Sequence, residues 1–547
     1  MVKVCYLKVK ARLCLWLILK YAVNDMNLRN KMKKSLLWCA VALFSFSTVA
    51  VTPQPFLNTQ VQFNQNQQQA DILVILVPEN ITDLNVAKWG KATRSQINRA
   101  IEVAEFTGKS GTKLEVVAPI GLDFGRVLLL GVGDPAALSR AKAEELGATM
   151  SAHVNATKAK KVQVNSQLIS DTALNTTISA ALAHGMELRN YRFDRFKSKP
   201  KPRPEQQYSL QVADVKATEA RYQQLHALAQ GVFTARELAN LPGSSGYPEV
   251  FANYAREVLE PLGVKVTILT PEQVKALGMG SLYGVSQGSA NKSYLLIAHW
   301  QGAAGEPIAL VGKGNSYDTG GYNLKTSSSS IIRMHTDKAG AAAVVGAVQA
   351  LAGQKAAVNV VAVAPLSINL ISRDALLPGD VVTAGDGSTI EVGNTDAEGR
   401  LILADGIWYA REHLKARVIV DIATLTGSKV GALGTAYSAV FTQDSNIEQT
   451  LRQAGEQVQE RVWPLPLTGY GDVTKSRIAD RINTGSPGAQ AGALFLQHFA
   501  ADTPWAHIDM AGDSFSATAK GIHPEGSNGY GVRLLSEWVQ LYQQQAK

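Results

Sequence analysis

The chain has 547 residues, of which 46% are hydrophobic and 18% are charged; this excludes a disordered or fibrous protein and favours at least two globular domains. The formal charge is +9, but nine Lys or Arg residues against one Asp in residues 1–50 account for +8 of it, so the remainder carries +1. The basic balance is therefore no evidence for nucleic-acid binding, and no nucleic-acid partner is expected.

Residues 1–50 have the layout of an N-terminal extension and an export signal that begins at Met32. Lys33 and Lys34 precede an apolar run over residues 36–46, and small residues follow up to Ala50. This order is typical of a cleaved signal peptide, and the run is too short for an ordinary membrane-spanning helix. We expect a periplasmic or secreted protein with no membrane span after cleavage. The alternatives are an uncleaved anchor, or a cytoplasmic protein whose segment is not a functional signal.

The cysteine count agrees with this interpretation. Cys5, Cys14 and Cys39 all precede the expected cleavage position, so the mature chain would have none. A disulfide framework and a cysteine nucleophile are both excluded for the mature chain.

A smaller N-terminal α/β domain is predicted over residues 71–215, after a Gln- and Asn-rich flexible leader over residues 51–70. Apolar runs alternate with helical periodicity, which is typical of a parallel sheet with helices. The predicted strands cover residues 72–77, 114–119, 126–132 and 162–165, and the predicted helices cover residues 96–106, 136–153 and 173–188. A proline-broken basic segment at residues 197–204 indicates a linker or exposed loop.

A linking helix over residues 216–245 leads into a larger C-terminal α/β domain over residues 246–547, for which a mixed central sheet is expected. The predicted strands cover residues 265–269, 294–298, 308–311, 359–363, 418–422 and 506–510. The predicted helices cover residues 339–351, 402–413, 447–458 and 491–499. One charged, glycine-rich segment follows the strand predicted at residues 308–311, and another precedes the helix predicted at residues 402–413. Functional groups of open α/β sheets gather beyond the carboxyl ends of strands, so these segments are the candidate site.

The candidate site contains four acids and three cations: Asp318, Asp337, Asp396, Glu398, Lys313, Lys325 and Arg400. The carboxylates are hard oxygen donors in sufficient number for two divalent metal ions. Asp396 and Glu398 are two residues apart, so in extended backbone both point to one side. Lys313 can bind a metal only as a neutral amine, which nearby dications favour. Lys325 and Arg400 offer positive charge for an oxyanion or an anionic co-ligand.

Each residue also has an ordinary structural explanation. An Asp near glycines is usually a turn residue, a Lys ahead of serines is usually solvated, and acids in the first helical turn stabilise a helix. No single structural explanation covers the whole array, which is why a metal centre is preferred.

Two alternatives are considered for function. Residues 284–288 fit the Gly-x-Ser-x-Gly pattern of serine hydrolases with Ser286 as nucleophile, but that pattern requires a preceding strand and a following helix, and here a strand is predicted to follow. A non-catalytic binding or scaffold protein that retains the fold is the second alternative. A zinc site of the His-Glu-x-x-His kind is not supported by the histidine spacing.

Residues 394–401, Asn-Thr-Asp-Ala-Glu-Gly-Arg-Leu, match the signature octapeptide of the leucyl aminopeptidases, the dinuclear metallo-exopeptidases of family M17. Residues 313–321 resemble the family's Lys-Gly-x-x-Phe-Asp-Ser-Gly-Gly, and segments at 377–382, 423–427 and 505–512 are also similar. The resemblance runs from about residue 229 to the C-terminus. It implies a metal-dependent aminopeptidase that removes N-terminal residues from peptides.

The resemblance implies two divalent metal ions per subunit, Zn²⁺ or Mn²⁺. One would be held by Lys313, Asp318, Asp337 and Glu398. The other would be held by Asp318, Asp396 and Glu398, with the backbone carbonyl of Asp396.

The resemblance also implies roles around the metals. Lys325 would polarise the scissile carbonyl, and Arg400 would hold a bicarbonate-like anion that acts as general base. Residues that would line the pocket for a Leu-like N-terminal side chain are Met334, Thr424, Leu425 and Gly427. The family resemblance further implies homo-hexamers.

The chain departs from the family between Lys325 and Asp337, where it has one residue more than the usual spacing and a serine-rich segment at residues 327–330. Lys338-Ala339 also stands where the family has Met-Gly. Asp337 is aligned as a ligand because the small residues 340–343 continue the expected helix.

Overall fold

A computed structural model describes residues 51–53, 56, 59–80, 84, 89–166, 169–202 and 205–545. The predicted extension and signal in residues 1–50 lie outside the described residues. The described chain forms two large sheets with helices packed on them, which confirms the predicted two-domain α/β fold.

The N-terminal sheet has six strands in the order β1-β6-β5-β2-β4-β3. The strands are β1 (Gln60–Asn64), β2 (Ile72–Pro78), β3 (Lys113–Val117), β4 (Arg126–Gly133), β5 (Lys161–Asn165) and β6 (Gln207–Gln211). The helices are α1 (Lys91–Val103), α2 (Arg140–Asn155) and α3 (Thr172–Asn190). All neighbouring strands are parallel except β3 and β4.

The central position of strand β2 in this sheet explains why its sequence is apolar without alternation. Ile72 and Val74 pack into the core that contains α2 and α3, whereas Leu73 and Ile75 pack into the core on the other face with Ile97 of α1. Successive side chains of a strand point to opposite faces, so a strand covered on both sides is apolar throughout.

The predicted flexible leader is wrong for Gln60–Asn64, which form edge strand β1. This strand pairs in parallel with β6, whose residues were not predicted as a strand either. Both are rich in Gln, and only Val61 and Phe63 of β1 touch the core. Their strand conformation depends on the partner strand more than on local preference.

The C-terminal sheet has nine strands, eight of them in the order β16-β15-β18-β14-β9-β11-β8-β7, with the ninth, β10, paired to β11. The strands are β7 (Lys265–Leu269), β8 (Tyr294–Gln301), β9 (Ile308–Gly312), β10 (Gly314–Asp318), β11 (Asn359–Asn369), β14 (Val418–Ala423), β15 (Ser438–Thr442), β16 (Val462–Pro464) and β18 (Trp505–Asp509). The run β18-β14-β9-β11 is parallel. Strands β8 and β15 pair with its two ends in antiparallel fashion, and β7 pairs antiparallel with β8. The expected mixed sheet is confirmed.

Helices surround this sheet, and two small sheets complete the domain. The helices are α4 (Val215–Asn240), α5 (Pro248–Leu259), α6 (Pro271–Ala276), α7 (Gly280–Val285), α8 (Ser328–Ile331), α9 (Ala339–Gly353), α10 (Glu398–Glu412), α11 (Gly427–Leu433), α12 (Ser445–Val458), α13 (Gly488–Ala500) and α14 (Val532–Gln545). The small sheets are formed by β12 (Val381–Thr383), β13 (Thr389–Glu391) and β17 (Arg481–Ile482), and by β19 (Phe515–Ser516) and β20 (Gly526–Ser527). Among the described helices, none is both long enough and apolar enough to cross a lipid bilayer.

Helix α9 lies directly against the strands that carry the candidate site. It consists mainly of Ala, Gly and Val, and its residues from Ala339 to Ala352 are buried. A Cβ atom at Gly340 would stand 2.2 Å from the carbonyl oxygen of Ile422, so only glycine permits this approach. The helix therefore holds the strand ends around Lys313 in place.

A buried charge cluster joins the N-terminal helices to the last helix of the chain. The fully buried Glu144 of α2 accepts hydrogen bonds from Arg140 Nε at 2.9 Å and from Arg533 Nη2 of α14 at 2.5 Å. Its Oε1 also lies 2.9 Å from His184 Nδ1 of α3. Burial raises the pKa of Glu144, but the charges of Arg533 and Arg140 outweigh it and lower the pKa overall.

Replacing Glu144 with Ala is expected to lower the free energy of unfolding by about 3–5 kcal/mol, because the buried Arg533 would lose its anion and Arg140 would keep only Glu537. Urea unfolding of the whole chain measures this. The control is Glu412→Gln, which removes the exposed pair with Lys415 and should change the free energy by less than about 1 kcal/mol. Equal losses in the two variants would contradict the assignment of the cluster as a stabilising contact.

Candidate metal centre

The predicted site residues gather at one edge of the large sheet. Lys313 follows β9 directly, and Asp318 ends β10, which pairs with the last residues of β11. Asp337 follows a 3₁₀ turn at Met334–Thr336. Asp396 lies in a second such turn, Thr395–Ala397, and Glu398 begins α10. The carboxyl ends of β9, β11 and β14 point to this edge, as the open-sheet rule predicts.

Three carboxylates form a compact cluster. Asp318, Asp396 and Glu398 each offer one oxygen, and these atoms all lie within 4.8 Å of one another. Among the described residues, this is the group of acids and histidines with the spacing of a metal site. Oxygen donors at this spacing suit a hard divalent cation.

Two lysines alternate with the carboxylates. Lys313 Nζ lies 2.8 Å from Asp337 Oδ2 and 2.9 Å from Glu398 Oε1. Lys325 Nζ lies 2.7 Å from Asp318 Oδ2 and 2.5 Å from Asp396 Oδ1. Asp337, the predicted ligand that follows the longer loop, is therefore joined to the same network through Lys313. Only 4% of the Lys313 side chain is exposed, against 17% for Lys325.

The electrostatics show how crowded these anions are. Burial, reinforced by the charge of Glu398, raises the pKa of Asp318 to about 7 against the pull of both lysines. Burial raises the pKa of Asp337 well above its usual range. For Glu398 burial also acts upward, but Lys313 and Lys325 outweigh it, so its pKa is lowered. Four carboxylates and two lysines retain net negative charge when ionised, so the residues present fit divalent cations.

Neutral side chains hold the carboxylates in position. Asn369 Nδ2 donates to Asp318 Oδ1 at 2.8 Å and to the carbonyl of Thr395 at 3.0 Å. Asn315 Nδ2 donates to Glu398 Oε1 at 3.1 Å. The sequence analysis missed both asparagines. Asn315 lies within the matched segment 313–321 and was therefore accessible to it, whereas Asn369, 51 residues from its partner Asp318, offered no spacing signal.

Arg400 is buried next to the cluster and faces residues 483–488. Its Nη1 donates to the carbonyl of Asn483, and its Nη2 donates to the carbonyl of Gly488 at 3.3 Å. Burial lowers the pKa of Arg400, and the charges of Asp509 and Glu398 oppose that shift. The two backbone carbonyls therefore fix the position of the guanidinium group.

The predicted pocket residues border the same network. Thr424 accepts a hydrogen bond from Lys313 Nζ through its carbonyl at 3.1 Å and donates through Oγ1 to Asp337 Oδ1 at 2.7 Å. Met334 begins the turn before Asp337. A Cβ at Gly427 would meet no atom within 4 Å, so the space beside this residue is open.

A carboxylate that the sequence analysis gave no role fixes the pocket loop. Asp509, fully buried at the end of β18, accepts hydrogen bonds from the amide of Leu425 at 3.1 Å and from Thr426 Oγ1 at 2.6 Å. Its Oδ1, which accepts from Leu425, also accepts from the amide of Ala511. Asp509 therefore sets the position of residues 424–426 relative to the metal centre.

The serine alternative fails on geometry. Helix α7 precedes Ser286 where a nucleophile elbow needs a strand. Ser286 is fully buried, and its Oγ accepts a hydrogen bond from the amide of Ile368 at 2.9 Å. It is a structural residue.

Two family profiles match the chain. The profile described as "Cytosol aminopeptidase family, catalytic domain" matches residues 233–536, and the profile of the N-terminal domain of the same family matches residues 75–200. A probable cytosol aminopeptidase 1 of Shewanella oneidensis is 46% identical over 479 residues, which cover 87% of this chain and 95% of that protein. A probable cytosol aminopeptidase of Rhodopseudomonas palustris is 41% identical over 451 residues, or 81% and 90%.

Solved structures agree with these matches. A lysine-to-glutamate mutant of tomato leucine aminopeptidase has a TM-score of 0.79 and 31% identity, covering 90% of this chain and 98% of that chain. The bottromycin maturation enzyme BotP in complex with Mn has a TM-score of 0.75 and 29% identity, covering 86% and 99%.

The predicted export is wrong. The curated relatives named above are called cytosol aminopeptidases, which contradicts a periplasmic or secreted location. That prediction rested on the order of basic, apolar and small residues before residue 51 and on the cysteine positions, and all of these residues lie outside the described part of the chain.

Asp509→Asn is expected to raise KM about tenfold while the metal content stays unchanged, because the pocket loop loses hydrogen bonds to a charged acceptor and the metal ligands keep theirs. Steady-state kinetics on an aminoacyl-anilide, with metal analysis of the same sample, measures both quantities. A variant with unchanged KM, or with depleted metal, would show that Asp509 does not act through the pocket.

Proposed function

Because the chain belongs to the cytosol aminopeptidase family and is a metal-dependent aminopeptidase, we propose that it removes Leu-like residues from the N-termini of peptides at the centre described above. The observation that carries this proposal is the cluster of Asp318, Asp396 and Glu398, which Lys313 joins to Asp337 and to the carbonyl of Thr424. Lys325 lies between Asp318 and Asp396. Peptides are the substrates, and divalent metal ions are the cofactors.

Lys313, Asp318, Asp337 and Glu398 would hold one metal ion, and Asp318, Asp396 and Glu398 the other. Bound there, Zn²⁺ or Mn²⁺ would supply Lewis acidity for the substrate's carbonyl and would lower the pKa of a water. Lys313 would enter the ligand set as a neutral amine, because the dications would disfavour the charged form that Asp337 and Glu398 stabilise in their absence.

Lys325 is the cation that a substrate can reach. Its side chain is the more exposed of the two lysines, and it stands at the rim of the cluster beside Asp318 and Asp396. It would donate to the scissile carbonyl oxygen and stabilise the negative charge that develops there. Arg400 would hold a bicarbonate-like anion as general base, with its guanidinium fixed by backbone carbonyls.

The pocket at Met334, Thr424, Leu425 and Gly427 would receive the N-terminal side chain. The open space beside Gly427 and the apolar Leu425 favour an aliphatic residue, although apolar pockets discriminate by only about 1–3 kcal/mol per methylene. We further propose a cytoplasmic location, as the relatives' names indicate, and hexamers, as the family resemblance implies. We also propose that the N-terminal domain ends at residue 215 and that the catalytic domain begins after residue 245.

Asp396→Ala and Glu398→Ala are each expected to abolish hydrolysis of Leu-anilide and to lower the metal content, because each removes a carboxylate of the cluster. The matched control is Asp374→Asn, which removes an exposed acid paired with Arg373 and should leave activity unchanged. Metal analysis and an aminoacyl-substrate panel, with and without chelator, test the proposal. Full activity in Asp396→Ala, or activity of the wild type that resists chelation, would refute the dinuclear mechanism.

Lys325→Ala is expected to lower kcat about 10²- to 10³-fold, the usual cost of removing one donor to a developing oxyanion. The metal content should stay close to that of the wild type, because no carboxylate is lost. Stopped assays for kcat and metal analysis of the same preparation separate the two effects. A metal-free Lys325→Ala protein would instead make Lys325 a structural residue of the cluster.

A further inference from the structure

A third lysine, Lys338, lies next to the centre and has no role in the mechanism above. It follows Asp337 directly and is fully buried. Its Nζ donates to three backbone carbonyls: those of Leu241 at 2.8 Å, Ser316 at 3.3 Å and His335 at 2.5 Å. The sequence analysis had noted Lys338 only as a departure from the Met that the resembled family has there.

The three carbonyls come from three separate parts of the chain. Leu241 follows the last residue of α4, Ser316 lies in β10 two residues before Asp318, and His335 lies in the turn that leads to Asp337. An ammonium group has three N–H donors and no acceptor, so its donors match these three oxygens. Lys338 therefore joins β10, which carries Asp318, and the turn before Asp337 to the end of α4.

Packing alone does not explain a lysine at this position. An apolar side chain of similar length would fill the same space but would leave the three carbonyl oxygens without this donor, at about 1–3 kcal/mol for each oxygen left unpaired. The stem is enclosed as well, since a Cβ at Gly246 would stand 3.3 Å from Lys338 Cε. The position thus selects for a nitrogen donor at the end of the side chain.

We propose that Lys338 is a positioning residue for the metal centre: its ammonium group ties β10 and the turn before Asp337 to the end of α4, so that Asp318 and Asp337 keep the separation that a shared metal ion requires. This inference rests on the proposed function. It also accounts for how the longer loop after Lys325 can still deliver Asp337 to the cluster, because the loop's last turn is fixed from behind.

The test compares Mn²⁺ binding to metal-stripped wild type, Lys338→Met and Lys338→Gln by calorimetric titration. Residues that orient metal ligands typically contribute 10- to 100-fold in affinity. We expect a loss of that size in Lys338→Met and a smaller loss in Lys338→Gln, which keeps two N–H donors. At saturating Mn²⁺, kcat should recover to within a few-fold with little change in KM, because the residue touches neither substrate nor metal.

Lys429→Met is the matched control. Lys429 is also fully buried, and its Nζ donates to the carbonyls of Gly434 and Ala511 and to Asp513 Oδ2. Its replacement should lower the thermal midpoint at least as much as Lys338→Met, because a buried carboxylate loses its cation, while Mn²⁺ affinity stays that of the wild type.

The outcomes are distinct. Wild-type Mn²⁺ affinity in Lys338→Met would overturn the proposal, and so would an equal loss of affinity in Lys429→Met, which would indicate general loosening. If Lys338→Met does not fold, Lys338→Gln decides by the same criterion. If the wild-type protein binds no Mn²⁺ and has no metal-dependent activity, the proposed function fails before the question of Lys338 arises.

Discussion

The repulsion between acidic side chains that are crowded into one buried site is the constraint on which the structure of the catalytic domain depends. Lys313 lies between Asp337 and Glu398, and Lys325 lies between Asp318 and Asp396, so each pair of acids shares one cation. Such an arrangement tolerates little displacement, because an uncompensated buried charge costs several kcal/mol. The strands, α9 and the asparagines around the cluster supply the rigidity that this arrangement needs.

The fold was predictable where a segment's own composition decides its conformation. The apolar central strands and the Ala-rich α9 were predicted at nearly their observed positions. The failures are segments whose conformation depends on a neighbour. β10 reads Gly-Asn-Ser-Tyr-Asp, which has no strand pattern, and it extends only because the end of β11 pairs with it. The Gln-rich β1 and β6 are the same case at the edge of the other sheet.

The candidate site was predictable from short motifs, and less so from residues that act through others. Eight contiguous residues at 394–401 and the segment 313–321 located Lys313 and three of the four acids that the structure brings together. Asp337 was aligned from the small residues 340–343 that follow it. Asn369 and Lys338 were not recognised, because an amide or a lone lysine has an ordinary explanation at any single position. Their contacts join residues 51 and 97 positions apart, and no local spacing records such pairs.

The buried cluster around Glu144 has a consequence for the order in which the molecule is completed. Glu144 meets Arg140 within one helical turn, but its other arginine, Arg533, follows 389 residues later. At the usual pace of translation, roughly 5–20 residues per second, that interval lasts about 20–80 seconds. Throughout that interval Glu144 has Arg140 beside it but not Arg533, so the contact between α2 and α14 forms only after the strands of the catalytic domain have been made.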